Sequence, residues 1–256
     1  MRSVRLKQME QFIIENNYVT IQELCDHFKI HINTCRSDIN TLVEKGIITK
    51  EYGGVSASKS NLPTTYSERM LKNIVGKKQI ALKAAQLLEE GDVIYVDTGS
   101  TAAMLLNNME MLPSQLTVIT SNLYVINWCV QNSPYTVFAL PGKLDKQLYS
   151  FSSLETIESV KAYNIHKAFF GARGISLKGD LTSASAIDAK VKSTVIKNSQ
   201  MNVLMAASDK INHAAMINFA HMNEFDCWVT DCASEDAQAM ANSHGIQLIS
   251  ADDANV

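Results

Sequence analysis

Five short clusters of small polar residues have the composition of an anion-binding site. Each follows an apolar, strand-like segment: Asp-Thr-Gly-Ser-Thr at 97–101, Thr-Ser-Asn at 120–122, Pro-Gly-Lys at 141–143, Gly-Ala-Arg-Gly at 171–174 and Ser-Asp-Lys at 208–210. Backbone N–H groups, hydroxyls and the positive end of a following helix favour an anion such as phosphate. One such cluster alone is more typical of an ordinary turn. Five clusters at one edge of a sheet would favour a binding site.

The charged residues of these clusters suggest how the site would work. Lys210, and also Lys143 or Lys192, could neutralise a phosphate. Asp97 could accept hydrogen bonds from sugar hydroxyls or cap the helix that follows it, and both alternatives stay open. The residues that we predict to bind a ligand are Asp97, Gly99, Ser100, Thr101, Ser121, Asn122, Gly142, Gly171, Arg173 and Lys210.

The elements that must position these clusters alternate between strands and helices. Apolar strands are predicted at 93–97, 116–120, 135–142, 168–175, 202–208, 227–230 and 246–250. Helices are predicted at 77–91, 101–109, 123–131, 186–198 and 235–245. Strands that are apolar throughout and alternate with helices indicate a parallel sheet covered on both faces. In such sheets ligands bind beyond the carboxyl ends of the strands, where the clusters fall.

In the first sixty residues, the apolar residues recur mostly at helical spacing. This pattern predicts three short helices followed by a hairpin. Thr20 and Glu23 form a capping box at the start of the second helix. In the third helix, apolar residues share the inner face and polar ones the outer face, the latter being Thr34, Arg36, Ser37, Asn40 and Thr41. Residues 47–55 alternate between apolar and polar side chains and then turn at Gly53–Gly54, which is the pattern of a two-stranded wing. This pattern is that of a winged helix-turn-helix.

A winged helix-turn-helix inserts its third helix into the major groove of DNA. The residues that we predict to contact DNA are Thr20, Asn33, Thr34, Arg36, Ser37, Asn40, Lys50, Tyr52, Gly53 and Gly54. The pattern alone also fits a three-helix protein-binding module or an enzyme subdomain. Charge does not decide between these, because the first sixty residues carry eight Lys or Arg and seven Asp or Glu.

The segment 19–55 resembles the DNA-binding region of DeoR-type bacterial transcriptional regulators. The matching residues are Thr34, Arg36, Asp38, Ile39, Leu42, Gly46, Gly53 and Gly54. Two positions depart from the family pattern. His31 replaces the usual serine cap, which makes Asn33 the expected start of the helix. Ser37 replaces the usual second arginine and removes one phosphate contact.

The resemblance extends to about residue 249 and includes the DeoR-type effector domain, which is similar in fold to ribose-5-phosphate isomerase and glucosamine-6-phosphate deaminase. It rests on the segments 97–101, 121–122, 171–175 and 229–231. It implies a repressor, released or more rarely activated by a phosphorylated sugar or sugar alcohol. Pro141 and the 207–210 loop depart from the pattern. Arg173 stands where the family often has an acidic residue, and it could bind a second anionic group.

The whole chain therefore predicts an α/β protein with an N-terminal winged helix-turn-helix at 1–57, a linker at 58–74 and a ligand-binding, oligomerising domain with a mostly parallel sheet at 75–256. Its 256 residues carry a net charge of −3 and no run of about 20 apolar residues. No signal peptide is recognisable, and five cysteines are an odd number, so we expect a cytoplasmic protein with reduced thiols. We expect no metal or cofactor and no membrane. The predicted partners are operator DNA, the effector and other copies of the chain, in a dimer or tetramer.

Two other classes of protein compete with this prediction. A sugar-phosphate isomerase or deaminase needs an acid–base group, and Asp97, Asp188 and Asp209 are candidates. The histidines His166, His213 and His221 are more typical of surface or packing positions. A protein-interaction adaptor whose helices never touch DNA is the second rival. We favour the regulator and predict no catalytic residue.

Overall fold

The computed structural model describes residues 5–6, 8–9, 12–13, 16, 18–44, 48–51, 53–57 and 65–252. The chain divides into two compact units, Met1–Leu62 and Pro63–Val256. Within the described ranges, no helix has the length and apolar character needed to cross a membrane.

Among its described residues, the N-terminal unit has two helices with defined bounds and a small antiparallel sheet. Helix α1 spans Ile21–Phe28 and α2 spans Ile32–Glu44; the strands are β1 (Tyr18–Thr20), β2 (Ile48–Glu51) and β3 (Gly54–Ala57). The described residues between 5 and 16 are also helical. The helices and strands share one apolar core that includes Met9, Ile13, Leu24, Ile39 and Leu42, each at most 2% exposed.

Two details of this unit differ from the sequence prediction. The wing has three strands in the order β1-β3-β2, because Tyr18–Thr20 pairs with β3. Helix α2 begins at Ile32, before Asn33, and Nδ1 of His31 accepts from the backbone N–H of Asn33 at 3.3 Å. The prediction that Asn33 starts the helix is therefore wrong, because a neutral imidazole nitrogen can replace a hydroxyl oxygen as acceptor.

The C-terminal unit is built on a seven-stranded sheet in which every pair of neighbours is parallel. Its strands are β4 (Val93–Val96), β5 (Thr117–Thr120), β6 (Thr136–Ala139), β9 (Ile165–Phe170), β12 (Ser199–Met205), β14 (Cys227–Thr230) and β15 (Gln247–Ser250). All seven were predicted, and the prediction of a parallel sheet is confirmed. Short antiparallel strands lie outside this sheet: β7 (Leu144–Asp145), β8 (Ser150–Phe151), β10 (Gly174–Ile175), β11 (Asp180–Ser183) and β13 (Ile217–His221).

Helices cover both faces of the large sheet. They are α3 (Tyr66–Leu71), α4 (Ile74–Ala85), α5 (Leu123–Asn132), α6 (Leu154–Val160), α7 (Ala186–Asn198) and α8 (Glu235–His244). Successive strand residues point to opposite faces, so Ile94 and Val96 join one core cluster while Tyr95 joins the other. Burial on both sides explains why the central strand β4 is apolar throughout.

Two predicted elements differ in the C-terminal unit. Helix α3 lies inside the range predicted as a linker, and its Tyr66 is buried against the large sheet. The helix predicted at 101–109 is wrong, because only 3₁₀ turns form, at Ala102–Met104 and Met109–Met111. Residues 102–106 are all buried, so this segment has no polar face for an amphipathic helix to expose.

The order of the large sheet is β15-β14-β12-β9-β4-β5-β6. From β4 the chain adds β5 and β6 on one side and later returns to place β9 on the other side. The direction of strand addition therefore reverses between β4 and β9. A crevice forms outside the carboxyl ends of the strands at such a reversal, and it is the common ligand site of open α/β sheets.

Candidate functional site

The predicted DNA-contacting residues of helix α2 lie on its outer face. Asn33, Arg36, Ser37 and Asn40 are exposed, and Thr34 is half-buried. Cys35, Ile39 and Leu42 are buried in the core of the N-terminal unit. This division follows the helical spacing of the residues and leaves an outer face that is mostly polar, with Ile32 as an exposed apolar residue at its start.

The remaining predicted DNA-contacting residues lie at the wing and at the start of α1. Lys50 is exposed on β2, whereas Tyr52 lies outside the described residues. Thr20 caps α1, and the predicted capping box with Glu23 is confirmed. Gly54 has a structural reason to be glycine, because a Cβ there would lie 2.5 Å from the carbonyl oxygen of Val19.

Asp38 has a role that the sequence did not reveal. Its side chain is fully buried, and Oδ2 accepts from Nε of Arg5 at 2.7 Å. This hydrogen bond raises the pKa of the Arg5 guanidinium. Asp38 therefore ties α2 to the N-terminal helical segment and does not join the polar outer face.

A cavity of about 300 Å³ opens at the reversal between β4 and β9. We call it the sheet-edge cavity. Its walls come from the loops that follow β4, β9 and β12, from α3 and α4, and from α7. Six cationic side chains line it against two carboxylates, Asp188 and Asp209; the cations are Arg69, Lys72, Lys77, Arg173, Lys192 and Lys210. Its size is that of a small-ligand site, and its charge favours an anion.

Six of the ten predicted ligand-binding residues line this cavity. They are Gly99, Ser100, Thr101, Gly171, Arg173 and Lys210. The turn at 99–101 carries donors for an anion, since no described residue accepts from the backbone N–H of Ser100 or Thr101. The loops after β4 and β9 approach closely, because a Cβ on Gly99 would lie 3.2 Å from the Cα of Gly171.

Asp97 does not line the cavity but lies beneath it, fully buried. Its Oδ2 accepts from the N–H of Gly99 at 3.1 Å, the N–H of Gly171 at 3.0 Å and Nζ of Lys192 at 2.8 Å. Of the two alternatives left open by the sequence, ligand acceptor and cap, this geometry favours a cap, although of a turn and not of a helix. Asp97 holds the two cavity loops together.

The other three predicted residues also lie away from the cavity. Asn122 caps α5, accepting from the N–H of Tyr124, and donates to the carbonyl oxygen of Asp97 at 3.1 Å. Ser121 is buried beside it. Gly142 packs against Thr156, so close that a Cβ would lie 2.5 Å from its hydroxyl oxygen. These residues support the carboxyl edge of β5 and the loop after β6.

The buried ion pair of Asp97 and Lys192 has a third member, Asp188. Lys192 donates to Asp97 and to the carbonyl oxygen of Gly171, each at 2.8 Å, and lies 3.7 Å from Asp188. Burial opposes the charge of Lys192, but Asp188 and Asp97 outweigh it and raise its pKa. Burial also raises the pKa of Asp97, against the effect of Lys192. The charge of Lys192 is thus already balanced within the protein.

Several of the cations that line the cavity repel one another. Burial, followed by repulsion from Lys210 and Arg69, lowers the pKa of Lys77 to about 8. Burial, followed by repulsion from Arg69, lowers the pKa of Arg173 to about 10, so Arg173 remains charged at neutral pH. Cations held together in this way are stabilised by an anion among them.

Helices α3 and α4 and the two residues between them supply cavity residues that sequence reasoning missed. These are Arg69, Lys72, Asn73 and Lys77, and all but the last lie in the range predicted as a linker. Asn73 anchors this segment, since its Nδ2 donates to Oδ2 of Asp231 at 3.0 Å and its Oδ1 accepts from the N–H of Gly76. The sequence feature that could have indicated Lys77 is the apolar spacing of the helix predicted at 77–91, which begins at this buried lysine.

The candidate catalytic groups of the rival enzyme are engaged in protein contacts. Asp188 accepts from the hydroxyls of Thr98 and Ser183, each at 2.7 Å. Asp209 lies 2.9 Å from Lys210. His213 is exposed, as predicted for a surface residue, and lines the cavity, whereas His166 and His221 do not line it. No group of three or more potential metal ligands occurs in the described part of the chain.

Comparison with known proteins identifies both units. The DeoR-like helix-turn-helix domain matches residues 5–61, and the DeoR C terminal sensor domain matches residues 72–232. The chain is 27% identical over 249 residues to the HTH-type transcriptional regulator IolR of Bacillus subtilis, covering 97% of this chain and 99% of that protein. It is 26% identical over 243 residues to the glycerol-3-phosphate regulon repressor of Escherichia coli, covering 93% and 94%. A solved ribose 5-phosphate isomerase A from Methanocaldococcus jannaschii aligns over 55% of each chain, with a TM-score of 0.39 and 20% identity.

A DNA-binding helix-turn-helix followed by an α/β sensor domain defines a transcriptional regulator, not an enzyme. The two domain matches together cover most of the chain. The protein belongs to the DeoR family of transcriptional regulators.

Proposed function

We propose that this regulator represses a carbohydrate uptake or catabolism operon and is controlled by a phosphorylated sugar or sugar alcohol bound in the sheet-edge cavity. The observation that carries the proposal is the excess of cations around a cavity of about 300 Å³ at the reversal of the sheet. A phosphate is the anion that such a combination of lysines, arginines and backbone N–H groups favours. The name of one relative, a glycerol-3-phosphate regulon repressor, agrees with this class of ligand.

For the DNA, we propose that α2 enters the major groove with Asn33, Thr34, Arg36, Ser37 and Asn40 facing the bases and phosphates. Thr20 and the wing, including Lys50, Tyr52, Gly53 and Gly54, would meet the backbone. The exposure of the polar face of α2 supports this assignment. As a DNA-binding regulator, the protein would act in the cytoplasm.

We further propose that the protein binds DNA as a dimer or tetramer, because a single winged helix seldom gives specific affinity. Two exposed apolar side chains near one edge of the large sheet support self-association. Val130 on α5 is 80% exposed and Phe138 on the edge strand β6 is 43% exposed. Light scattering after size exclusion measures the mass and would contradict this proposal if a monomer persists at micromolar concentration.

Binding of the regulator to the promoter beside its own gene tests the main proposal. Fluorescence anisotropy with a labelled duplex should give salt-sensitive binding. A panel of sugar and sugar-alcohol phosphates, first screened by thermal shift because ligands stabilise the folded state, should contain one compound that changes this binding. The panel includes glucose 6-phosphate, fructose 6-phosphate, sorbitol 6-phosphate and glycerol 3-phosphate.

Two variants separate the sites. Ser100→Ala combined with Lys210→Ala should abolish the response to the ligand and preserve DNA binding. Arg36→Ala should do the reverse. Turnover of a sugar phosphate by a protein that does not bind its promoter would support the isomerase or deaminase alternative and overturn the proposal. Binding to another protein, but not to DNA, would support the adaptor.

A further inference from the structure

Two turns from distant parts of the chain line the sheet-edge cavity. The turn at 72–73 separates α3 from α4, and both of its residues line the cavity. The 3₁₀ turn Ser208–Lys210 follows β12 and contributes Asp209 and Lys210 to the lining. The affinity for a ligand that contacts both turns therefore depends on the distance between them.

Asp231 joins these two turns, although it does not line the cavity itself. Its Oδ1 accepts from the backbone N–H of Ser208 at 2.8 Å, and its Oδ2 accepts from Nδ2 of Asn73 at 3.0 Å. Oδ1 also accepts from the hydroxyl of Thr230 at 3.3 Å and from the N–H of Cys232 at 3.1 Å. One carboxylate at the end of β14 thus binds the first residue of one turn and the last residue of the other.

The carboxylate of Asp231 is a strong acceptor for these contacts. Burial alone would raise the pKa of Asp231, but hydrogen bonds from Ser208 and Asn73 outweigh it and lower the pKa. Hydrogen bonds to an ionised acceptor are stronger than those between neutral groups. The two turns are also linked by Nζ of Lys72, which lies 3.7 Å from Oδ2 of Asp209, but both side chains are exposed and such surface pairs contribute little.

The backbone around Asn73 is shaped for its contact with Asp231. Asn73 has a φ of 49°, in the left-handed region that asparagine adopts more readily than most residues. Its Oδ1 accepts from the N–H of Gly76 at 3.2 Å while its Nδ2 donates to Asp231. A Cβ on Gly76 would lie 2.7 Å from Oδ1 of Asn73 and 2.9 Å from Oδ2 of Asp231, so this position requires glycine. Both ends of the Asn73 amide are therefore used.

We propose that Asp231 is a positioning residue of the effector site, which does not touch the ligand but sets the distance between the turn at 72–73 and the turn Ser208–Lys210. This inference rests on the proposed function, because it concerns the ligand of the same cavity. A sugar phosphate that contacts both turns loses affinity when the two turns are no longer joined.

An exchange of the two side chains tests this assignment. Asp231→Asn places an amide NH₂ against Nδ2 of Asn73, and Asn73→Asp places two carboxylates together. The double variant restores each contact, because the amide at position 231 accepts from Ser208 and donates to the carboxylate at position 73, which still accepts from Gly76. Each single variant should bind the ligand about fivefold more weakly, and the double variant within about twofold of the wild type.

Titration calorimetry on the full chain measures these affinities. Glucose 6-phosphate, fructose 6-phosphate, sorbitol 6-phosphate and glycerol 3-phosphate are titrated into the wild type, and the compound that binds most tightly is used for every variant. Asp226→Asn is the matched control, because Asp226 precedes the same strand β14 at its other end and accepts from the N–H of Asn202 at 2.7 Å. This control should keep the wild-type affinity.

Hydrogen exchange distinguishes positioning from a general loss of structure. In each single variant, the backbone amides of 72–77 and 208–211 should exchange faster than in the wild type, while those of β9 should not change. The double variant should return both segments to the wild-type rates. If Asp231→Asn does not fold, Asn73→Ala takes its place in the comparison, because it leaves Asp231 bound to Ser208 and removes only the link between the turns.

The outcomes separate this inference from the proposed function. If the wild type binds one of the four compounds and the single variants bind it equally tightly, the inference fails alone. It also fails if the double variant binds no better than the single variants, or if exchange rises equally throughout the C-terminal unit. If the wild type binds none of the compounds, the proposed function fails and this inference fails with it.

Discussion

The affinity of the sheet-edge cavity for a sugar phosphate should fall as the pH rises from 7 to 9. The group responsible is Lys77, which is 6% exposed and whose Nζ donates to the carbonyl oxygen of Arg69. Burial and the neighbouring cations Lys210 and Arg69 lower its pKa to about 8. The free protein therefore begins to lose this charge just above neutral pH.

The size of the effect follows from the two pKa values of Lys77. A bound phosphate dianion favours the ammonium and returns the pKa towards its ordinary value of 10.5. At pH 9 the free protein holds this proton in only about one molecule in ten, whereas the complex keeps it. The affinity should fall about tenfold between pH 7 and pH 9, or about 1.4 kcal/mol. The ligand itself does not change, because the second pKa of a phosphate ester is about 6.

Titration calorimetry with the tightest sugar monophosphate of the panel measures this effect. At pH 9, repetition in buffers of different ionisation enthalpy should reveal uptake of about one proton on binding. Lys77→Gln should bind more weakly at pH 7 and lose the pH dependence. Lys77→Arg should keep its charge and give a flat profile.

Lys190 provides the matched control, since its side chain is exposed on α7 and does not line the cavity. Lys190→Gln should retain the wild-type pH profile. The reasoning is refuted if the wild-type affinity changes less than twofold between pH 7 and pH 9. It is equally refuted if Lys77→Gln still loses affinity tenfold.

Three further changes have defined outcomes. Arg36→Ala should weaken operator binding about tenfold or more in anisotropy measurements while ligand affinity stays constant; unchanged operator binding would show that the assignment of α2 to the groove is wrong. Lys192→Met should destabilise the C-terminal unit by about 3–5 kcal/mol, because it leaves the carboxylate of Asp97 buried without its cation. Calorimetry should show this as a lower Tm, by roughly 2–4 °C for each kcal/mol. Adding Asp97→Asn should restore part of the lost stability, and a single variant as stable as the wild type would contradict the pairing. His31→Ala should remove the acceptor for the N–H of Asn33 and destabilise the N-terminal unit by about 1 kcal/mol in urea unfolding, whereas His31→Asn should not.

The parts of the fold that depend on local sequence could be predicted. The seven parallel strands follow from continuous apolar runs, and the capping box of Thr20 and Glu23 follows from two residue types at fixed spacing. The convergence of Ser100, Arg173 and Lys210 could also be predicted, because parallel strands bring the loops that follow them to one edge.

The rest of the site depends on contacts between residues that are far apart in the chain. Lys192 and Asp97 are 95 residues apart, and only their packing turns an expected ligand acceptor into a buried support. Arg69 and Lys77 reach the cavity because Asn73 binds Asp231, a residue 158 positions away. The helical spacing of apolar residues before strand β4 predicts a helix, but it does not indicate which edge of the sheet that helix will pack against. The helix predicted at 101–109 failed because burial on all sides overrides a helical composition.

The position in the chain of α3 and the start of α4 bears on how ligand binding and operator binding are coupled. This segment lines the sheet-edge cavity and is also the part of the C-terminal unit that follows directly on the N-terminal unit in the chain. Whatever factor a ligand exerts on operator affinity, the operator must exert on ligand affinity to the same extent and in the same direction. For a repressor released by its effector, promoter-bound molecules would therefore be the poorest sensors in the cell. The effector would bind to unbound molecules first. Occupancy of the operator would then fall chiefly because this free pool of repressor is depleted.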